Sequence, residues 1–553
     1  MAKSSIILDQ INGLSDSPWS GIAGSVAECV GLDLHSTPGL TKVRQKLTRV
    51  SVSSGASTSL SMSPSASQSL SPSASRSPSA SASSSPSSST SPSSSQSQSP
   101  SASQSPSSSQ SLSPSASRSP SSSISLSPSP SSAGASDIDS FIKIAVPASN
   151  GYHFWFSSTS GKIWAISPSG TITLAYITVA ESGASGCLGA IEYNGFIYWA
   201  TQSRLHRIAI GNADESWFNV NLNWATFTKT DSEFHPMAIQ DLTLFIGDGN
   251  LVASVDEAGV YLDNALDINT PNRIKCMTDY EFDLLLGTFV ANTVNKTQII
   301  RWDTISPSWN TSDTIEESGI NAFIKDDNNL FVNAGRSGNI YFYNGEKLLQ
   351  YKRIPGEYSS TSYGYVHPGS VGNFMGQPIF GFSNGSGNPA KQGVYMLGSY
   401  SKDYTKKLDL SFPISENVLE GIEIGAILVL DFDLYVAWKR GDVYGIDKID
   451  YSAKYPNAYF ETMMLFQNMR DVLKSLKSVL AFYHTLPSGC GFTFSYSVNG
   501  ANYVEMDDRN DTVINAVKSE LTVPTIGSLS IKVEFDVSGN DAPTMECLGV
   551  NID

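Results

Sequence analysis

Glu192, Asp248, Asp283 and Glu317 are the residues by which this chain would do acid–base chemistry. A pair of carboxylates about 5–9 Å apart, one protonated and one ionised, can cleave a glycosidic bond. Nothing in their spacing sets any two of the four at that separation, and hairpin turns are rich in aspartate regardless. Asp507, Asp508 and Asp511, with Arg509 and Asn510 between them, read as an acidic turn. Such a turn can offer oxygen ligands to calcium, but the EF-hand spacing is absent and a solvated loop is the expectation. His35, His153, His206, His235, His367 and His484 are scattered, with no H-x-H or H-E-x-x-H pair to grip a metal. There is no G-x-S-x-G elbow and no phosphate-binding P-loop. The five cysteines form no C-x-x-C and are odd in number, which points to buried free thiols. The expectation is a protein that is not an enzyme and holds no cofactor and no metal.

The elements that would position any of these residues are strands. From Asp137 onward, apolar strands with alternating aromatics are separated by Gly/Asn/Ser/Asp turns, as at Asn194–Gly195. An apolar or aromatic position recurs at Phe154, Ile197, Phe245, Leu285, Phe331, Phe380 and Tyr435. These lie roughly 40 to 55 residues apart, and three or four short strands per unit of that length form a β-propeller blade. The sequence therefore predicts an all-β chain: a degenerate propeller of about seven blades over residues 137–458. A small antiparallel β-sandwich follows over 459–553, with a hairpin turning at Asn499–Gly500.

Residues 51–136 have a different physics. They form a serine–proline tract built on S-P-S-A-S-x, and Ser67–Ser79 is repeated unchanged at Ser109–Ser121. With no aromatics and only isolated apolar residues, the tract cannot bury enough surface to offset the entropy of ordering. It is expected to be a disordered, polyproline-II-biased linker following an N-terminal arm, residues 1–50. The net charge of −16 and the lack of an extended Lys/Arg cluster in the body argue against specific or phosphate-driven nucleic-acid binding. No run reaches the ~20 apolar residues of a membrane span. The first residues lack the apolar core of a signal peptide, so synthesis in a cytoplasm is expected.

Within the arm, Ile11, Asn12, Gly13, Leu14 and Pro18 precede Gly31, Leu32, Asp33, His35, Pro38 and Gly39. This "I-N-G-L…S-P" opening and "G-L-D-L-H-S-x-P-G" segment resemble the start of virion and tail proteins of tailed bacteriophages. The propeller followed by a sandwich is similar in kind to nozzle-like proteins of short-tailed phages. The resemblance implies a structural virion component made in the host cytoplasm. Such a component assembles as a homo-oligomeric ring with other virion proteins, and the named arm residues touch neighbouring subunits. The alternative is a carbohydrate-binding adhesin or receptor-binding protein that stacks sugars on Trp155, Trp164, Trp199 and Tyr341.

Overall fold

The computed structural model describes residues 4–8, 26–37, 40–50, 138–159, 161–168, 172–178, 186–210, 220–290, 295–326, 329–399, 406–463, 465, 474–509, 516–526 and 528–552. The serine–proline tract and Ile11, Asn12, Gly13, Leu14, Pro18, Pro38 and Gly39 lie outside them. Backbone contacts divide the chain into two units. One comprises Met1–Val50, Ile138–Gly170 and Ala175–Asp553, and the other Ser51–Asp137 and Thr171–Leu174. Of the smaller unit, only 172–174 are described, as extended strand. Among the described residues there is no helix, and so none long and apolar enough to cross a membrane.

The larger unit is all-β and its main body is a β-propeller. Antiparallel meanders begin with the strands Ile142–Pro147, Gly189–Tyr193, Met237–Gln240, Asn272–Tyr280, Ile320–Asp326, Tyr363–Phe374 and Ile422–Leu430. These opening strands touch one another in chain order, and Ile422–Leu430 returns to Ile142–Pro147, so together they enclose an axis. The closing step is tight. A Cβ on Gly425 would come within 1.9 Å of the Ile142 carbonyl oxygen, so only glycine fits. Among the described residues, six of the meanders are separate four-stranded sheets. The one that opens with Tyr363–Phe374 belongs instead to a nine-stranded sheet.

The seven recurring residues of the sequence all fall in the second strand of a meander, not in the strand nearest the axis. Each is buried. A second strand is covered on both faces by adjoining blades, so its sequence is largely apolar; His153–Ser157 is buried at every position and Thr243–Asp248 at every position but its first. Trp155, Trp164 and Trp199 are sealed in these interfaces. Burying each stabilises the ring by roughly 2–3 kcal/mol.

The arm is not a separate body. Its strand Gln45–Arg49 is the outer strand of the last meander, antiparallel to Val443–Lys454 with Leu47 opposite Ile449 and Arg49 opposite Asp447. Leu47 packs into the cluster of Phe374, Met396, Trp438 and Ile449, and the Arg49 guanidinium lies 4.7 Å above the Trp438 ring. The propeller is thus closed by a segment from the far side of the serine–proline tract. Val26–Val30 pairs in parallel with Lys407–Phe412 and antiparallel with Ala458–Thr462. It thereby joins a propeller sheet to the C-terminal strands. Ser4–Leu8 pairs with Met545–Ile552 in a further four-stranded sheet.

The C-terminal strands of both sheets share one hydrophobic cluster, with Phe492, Phe494, Val533 and Phe535 from one sheet and Val479, Ala481, Leu548 and Val550 from the other. The same cluster continues into Phe331, Phe380 and Tyr395 of the propeller. The expected hairpin is present, with Asn499 and Gly500 both at positive φ. Asp507 and Asp508, expected in a turn, instead lie in the strand Val504–Arg509 opposite Phe494 and Thr493. Asp511 lies outside the described residues.

Candidate functional site

Two adjoining cavities of about 570 Å³ and about 610 Å³ lie among the opening strands, and both are lined by Lys143, Glu233, Phe234, Lys275 and His367. One is largely apolar beyond this shared waist, with Met237, Met277, Phe323 and Val371. The other is polar, with Asn321, Arg336, Tyr363 and Tyr365. Both lysines sit where the register with the second strand shifts, between Ile142 and Ile144 and between Ile274 and Cys276, and such a bulge re-aims a side chain. In Ile142–Lys143 and Ile274–Lys275 the isoleucine is buried in the blade and the lysine lines the cavities.

The waist is cationic although the chain as a whole is acidic. The Lys275 amine donates to Asn321 Oδ1 at 2.8 Å and lies over the rings of Phe234 and Tyr365. Burial pushes it down to about 8, held up by Cys276 and Glu233 and lowered further by Arg336 and Lys143. Lys143 is also lowered by burial, with Glu423 opposing and Lys439 adding to the effect. Lys439 donates to Glu423 at 3.2 Å, and Arg336 lies 4.7 Å over the Tyr363 ring. His367 is 5% exposed. Burial, then the charges of Lys143, Lys275 and Lys439, hold its imidazole well below the ordinary range, so it is neutral. Its Nε2 has no hydrogen-bond partner and stands 4.0 Å from the Glu423 carboxylate.

A second feature is the seam between arm and body. Gly31 has φ +66° and a Cβ there would come within 2.3 Å of the Tyr455 ring. Leu32 is fully buried. Asp33 pairs with Arg44 at 3.2 Å and accepts backbone hydrogen bonds from His35 and Ser36. Although burial opposes it, these partners hold its carboxyl down to about 2. His35 Nε2 contacts Asp409, which also accepts from the Ser411 hydroxyl. The described arm residues expected to meet neighbouring subunits therefore pack within their own chain.

A third feature is a face. Odd-numbered strands of a propeller all run toward the same end, so the first-to-second and third-to-fourth connections emerge together. Large apolar side chains crown these connections: Leu242, Phe282, Ile305, Met375 and Phe432 are 65%, 84%, 88%, 53% and 71% exposed. Asp241, Glu281 and Asp431 precede three of them at positive φ.

The four carboxylates do not form a pair. Glu192 accepts from the Ser149 amide. Asp248, buried and raised by burial, accepts from the Lys229 amide and the Ser232 hydroxyl. Asp283 is paired with Arg301. Glu317 accepts from Asn339 and Tyr341. Among the described residues no group of three His, Cys, Asp or Glu is arranged to hold a metal ion. The tryptophans assigned to sugar stacking are core residues, buried because they sit between blades.

No family model matches the sequence, and no curated protein matches it. Among solved structures, the chain is similar to the extracellular domain of a protein classed as a hybrid two-component system from B. thetaiotaomicron, at 13% identity and TM-score 0.40, covering 68% of this chain and 46% of that one. The chain thus spans less than half the length of that domain. It is also similar to streptogramin B lyase, at 12% identity and TM-score 0.39, covering 57% of this chain and 95% of that one. A third is the Pan2 WD40 domain of Neurospora crassa, at 6% identity and TM-score 0.36, covering 57% and 91%.

Proposed function

We propose that this protein is a structural component of a tailed-phage virion, at the tail or the tail junction, which assembles with copies of itself and with other virion proteins. The observation that carries this reading is the turn face. Exposed apolar residues scattered singly are ordinary, but Leu242, Phe282, Ile305, Met375 and Phe432 all crown connections on one end of the propeller. Such residues are the anchors of protein interfaces, and the acidic residues beside them suit a neighbour with a basic rim.

The Gly31–His35 segment, part of the run on which the resemblance to phage tail proteins rests, packs on the body, and in this reading the turn face is the surface left for neighbours. In this reading the Tyr363–Phe412 meander counts as a seventh blade, and the two C-terminal sheets are a β-sandwich fixed to it. Negative-stain microscopy of the purified protein, alone and mixed with virions, tests the proposal. Rings or incorporation into virions are expected. A monomer that stays apart from virions and binds glycans would replace this reading with the adhesin.

A further inference from the structure

The axis of the propeller carries a feature that an inert scaffold does not need. Lys143 and Lys275 bring two cationic side chains to the waist, with Arg336 in the adjoining polar cavity and Lys439 near enough to Lys143 and His367 to act on both, against Glu233 and Glu423. Of the cations, Lys439 is neutralised directly by Glu423. Buried like charges repel, and removing an ammonium from water costs several kcal/mol unless something compensates. Here the compensation is incomplete: Lys275 has one amide oxygen and two ring faces, and Lys143 lies 5.7 Å over the Phe141 ring. His367 adds a buried ring nitrogen without a partner at the same place. The cavities on either side leave room for a molecule to supply what is missing.

We propose that the waist binds the oxyanion of a small organic molecule, a carboxylate or a phosphate ester. The anion sits among Lys143, Lys275 and Arg336, and His367 donates a hydrogen bond to it. The apolar remainder lies in the half lined by Met237, Met277, Phe323 and Val371. An oxyanion has the lone pairs that three cationic donors require, and a low-dielectric site strengthens each contact. The apolar half favours a molecule with a hydrocarbon or aromatic body over a bare inorganic ion.

Isothermal titration of the full-length protein at pH 7 and constant ionic strength tests this, with phenyl phosphate, benzoate and inorganic phosphate as probes. Saturable binding of phenyl phosphate or benzoate is expected, and which of the two binds more tightly distinguishes a phosphate ester from a carboxylate. Arg336→Gln and Lys275→Gln should each weaken it by roughly tenfold or more. Arg336 is at an exposed mouth, so its variant keeps the test decisive if Lys275→Gln fails to fold. No saturable binding of any probe to the native protein overturns the proposal. So does binding that Arg336→Gln leaves unchanged, or inorganic phosphate binding as tightly as both organic probes.

Discussion

His35 and Asp409 are 374 residues apart in sequence and in direct contact, both almost completely buried. The contact ties the segment before the serine–proline tract to Lys407–Phe412, the strand of the nine-stranded sheet with which Val26–Val30 pairs. Asp409 is further held by Ser411, so its carboxylate is shared between arm and body. Removing His35 leaves the buried Asp409 with the Ser411 hydroxyl but without its partner from the arm, which is costlier than never having had the pair. His35→Ala should lower the unfolding free energy by roughly 3 kcal/mol. Denaturant titration checks this, as a lower midpoint with an unchanged slope.

Gly31 makes a separate prediction at the same seam. Gly31→Ala places a methyl group against the Tyr455 ring in a backbone conformation that costs a non-glycine residue roughly 1–2 kcal/mol. Tyr455→Ala in the same chain should relieve the clash and leave the conformational cost. The loss from Gly31→Ala should therefore be smaller in the Tyr455→Ala background, as measured by a double-mutant cycle.

Leu47 tests whether the arm strand closes the propeller. Leu47→Ala should cost roughly 2–5 kcal/mol, because the side chain is sealed against Trp438 and Ile449. Thr48 points the other way on the same strand, and Thr48→Ala should cost far less. Hydrogen exchange should show the Val443–Lys454 amides losing protection in Leu47→Ala and keeping it in Thr48→Ala.

The pH dependence of stability has a definite sign. His206 accepts a hydrogen bond at Nδ1 from the Asn223 amide and stacks on Trp199, an arrangement that requires the neutral ring. Burial, with Arg204 adding, lowers it to about 4; burial, with Lys448 adding, does the same for His153. Between about 4 and the ordinary 6.5 the unfolded chain binds more protons, so stability rises with pH there. The contribution is complete above 6.5 and is lost as pH falls toward 4. Thermal unfolding should show the melting temperature dropping across that window. His206→Gln should be less stable at pH 7 and show a shallower drop.

Phe282 and Phe432 probe the assembly surface. Both are hairpin tips with little to lose on substitution, so Phe282→Asp with Phe432→Asp should leave the melting temperature nearly unchanged. Self-association, followed by sedimentation velocity, should weaken by tenfold or more. A pair of variants that associates like the native protein would remove the turn face from consideration.

The parts of the fold legible in the sequence were those buried from both sides. Phe154, Phe245, Phe331 and Phe380 stood out because second strands are wedged between blades and read as apolar runs. Outer strands did not: Thr311–Ile315 buries no position and Leu348–Arg353 buries only Leu348, leaving no alternation of apolar residues to detect. The waist lysines went unseen because Lys143 and Lys275 come from opening strands far apart in the chain. Their shared Ile-Lys step was the only local trace.

Composition, turn chemistry and a period near 45 residues determined by themselves that this is an all-β chain of repeated meanders with a serine–proline tract set apart from it. Those properties are local, and each repeat carries them independently. Only the tertiary structure decided that the arm supplies the last meander's outer strand, that His35 meets Asp409, and that Lys143 and Lys275 converge on one axis. Each depends on where the ring closes, and closure is set by packing between segments hundreds of residues apart.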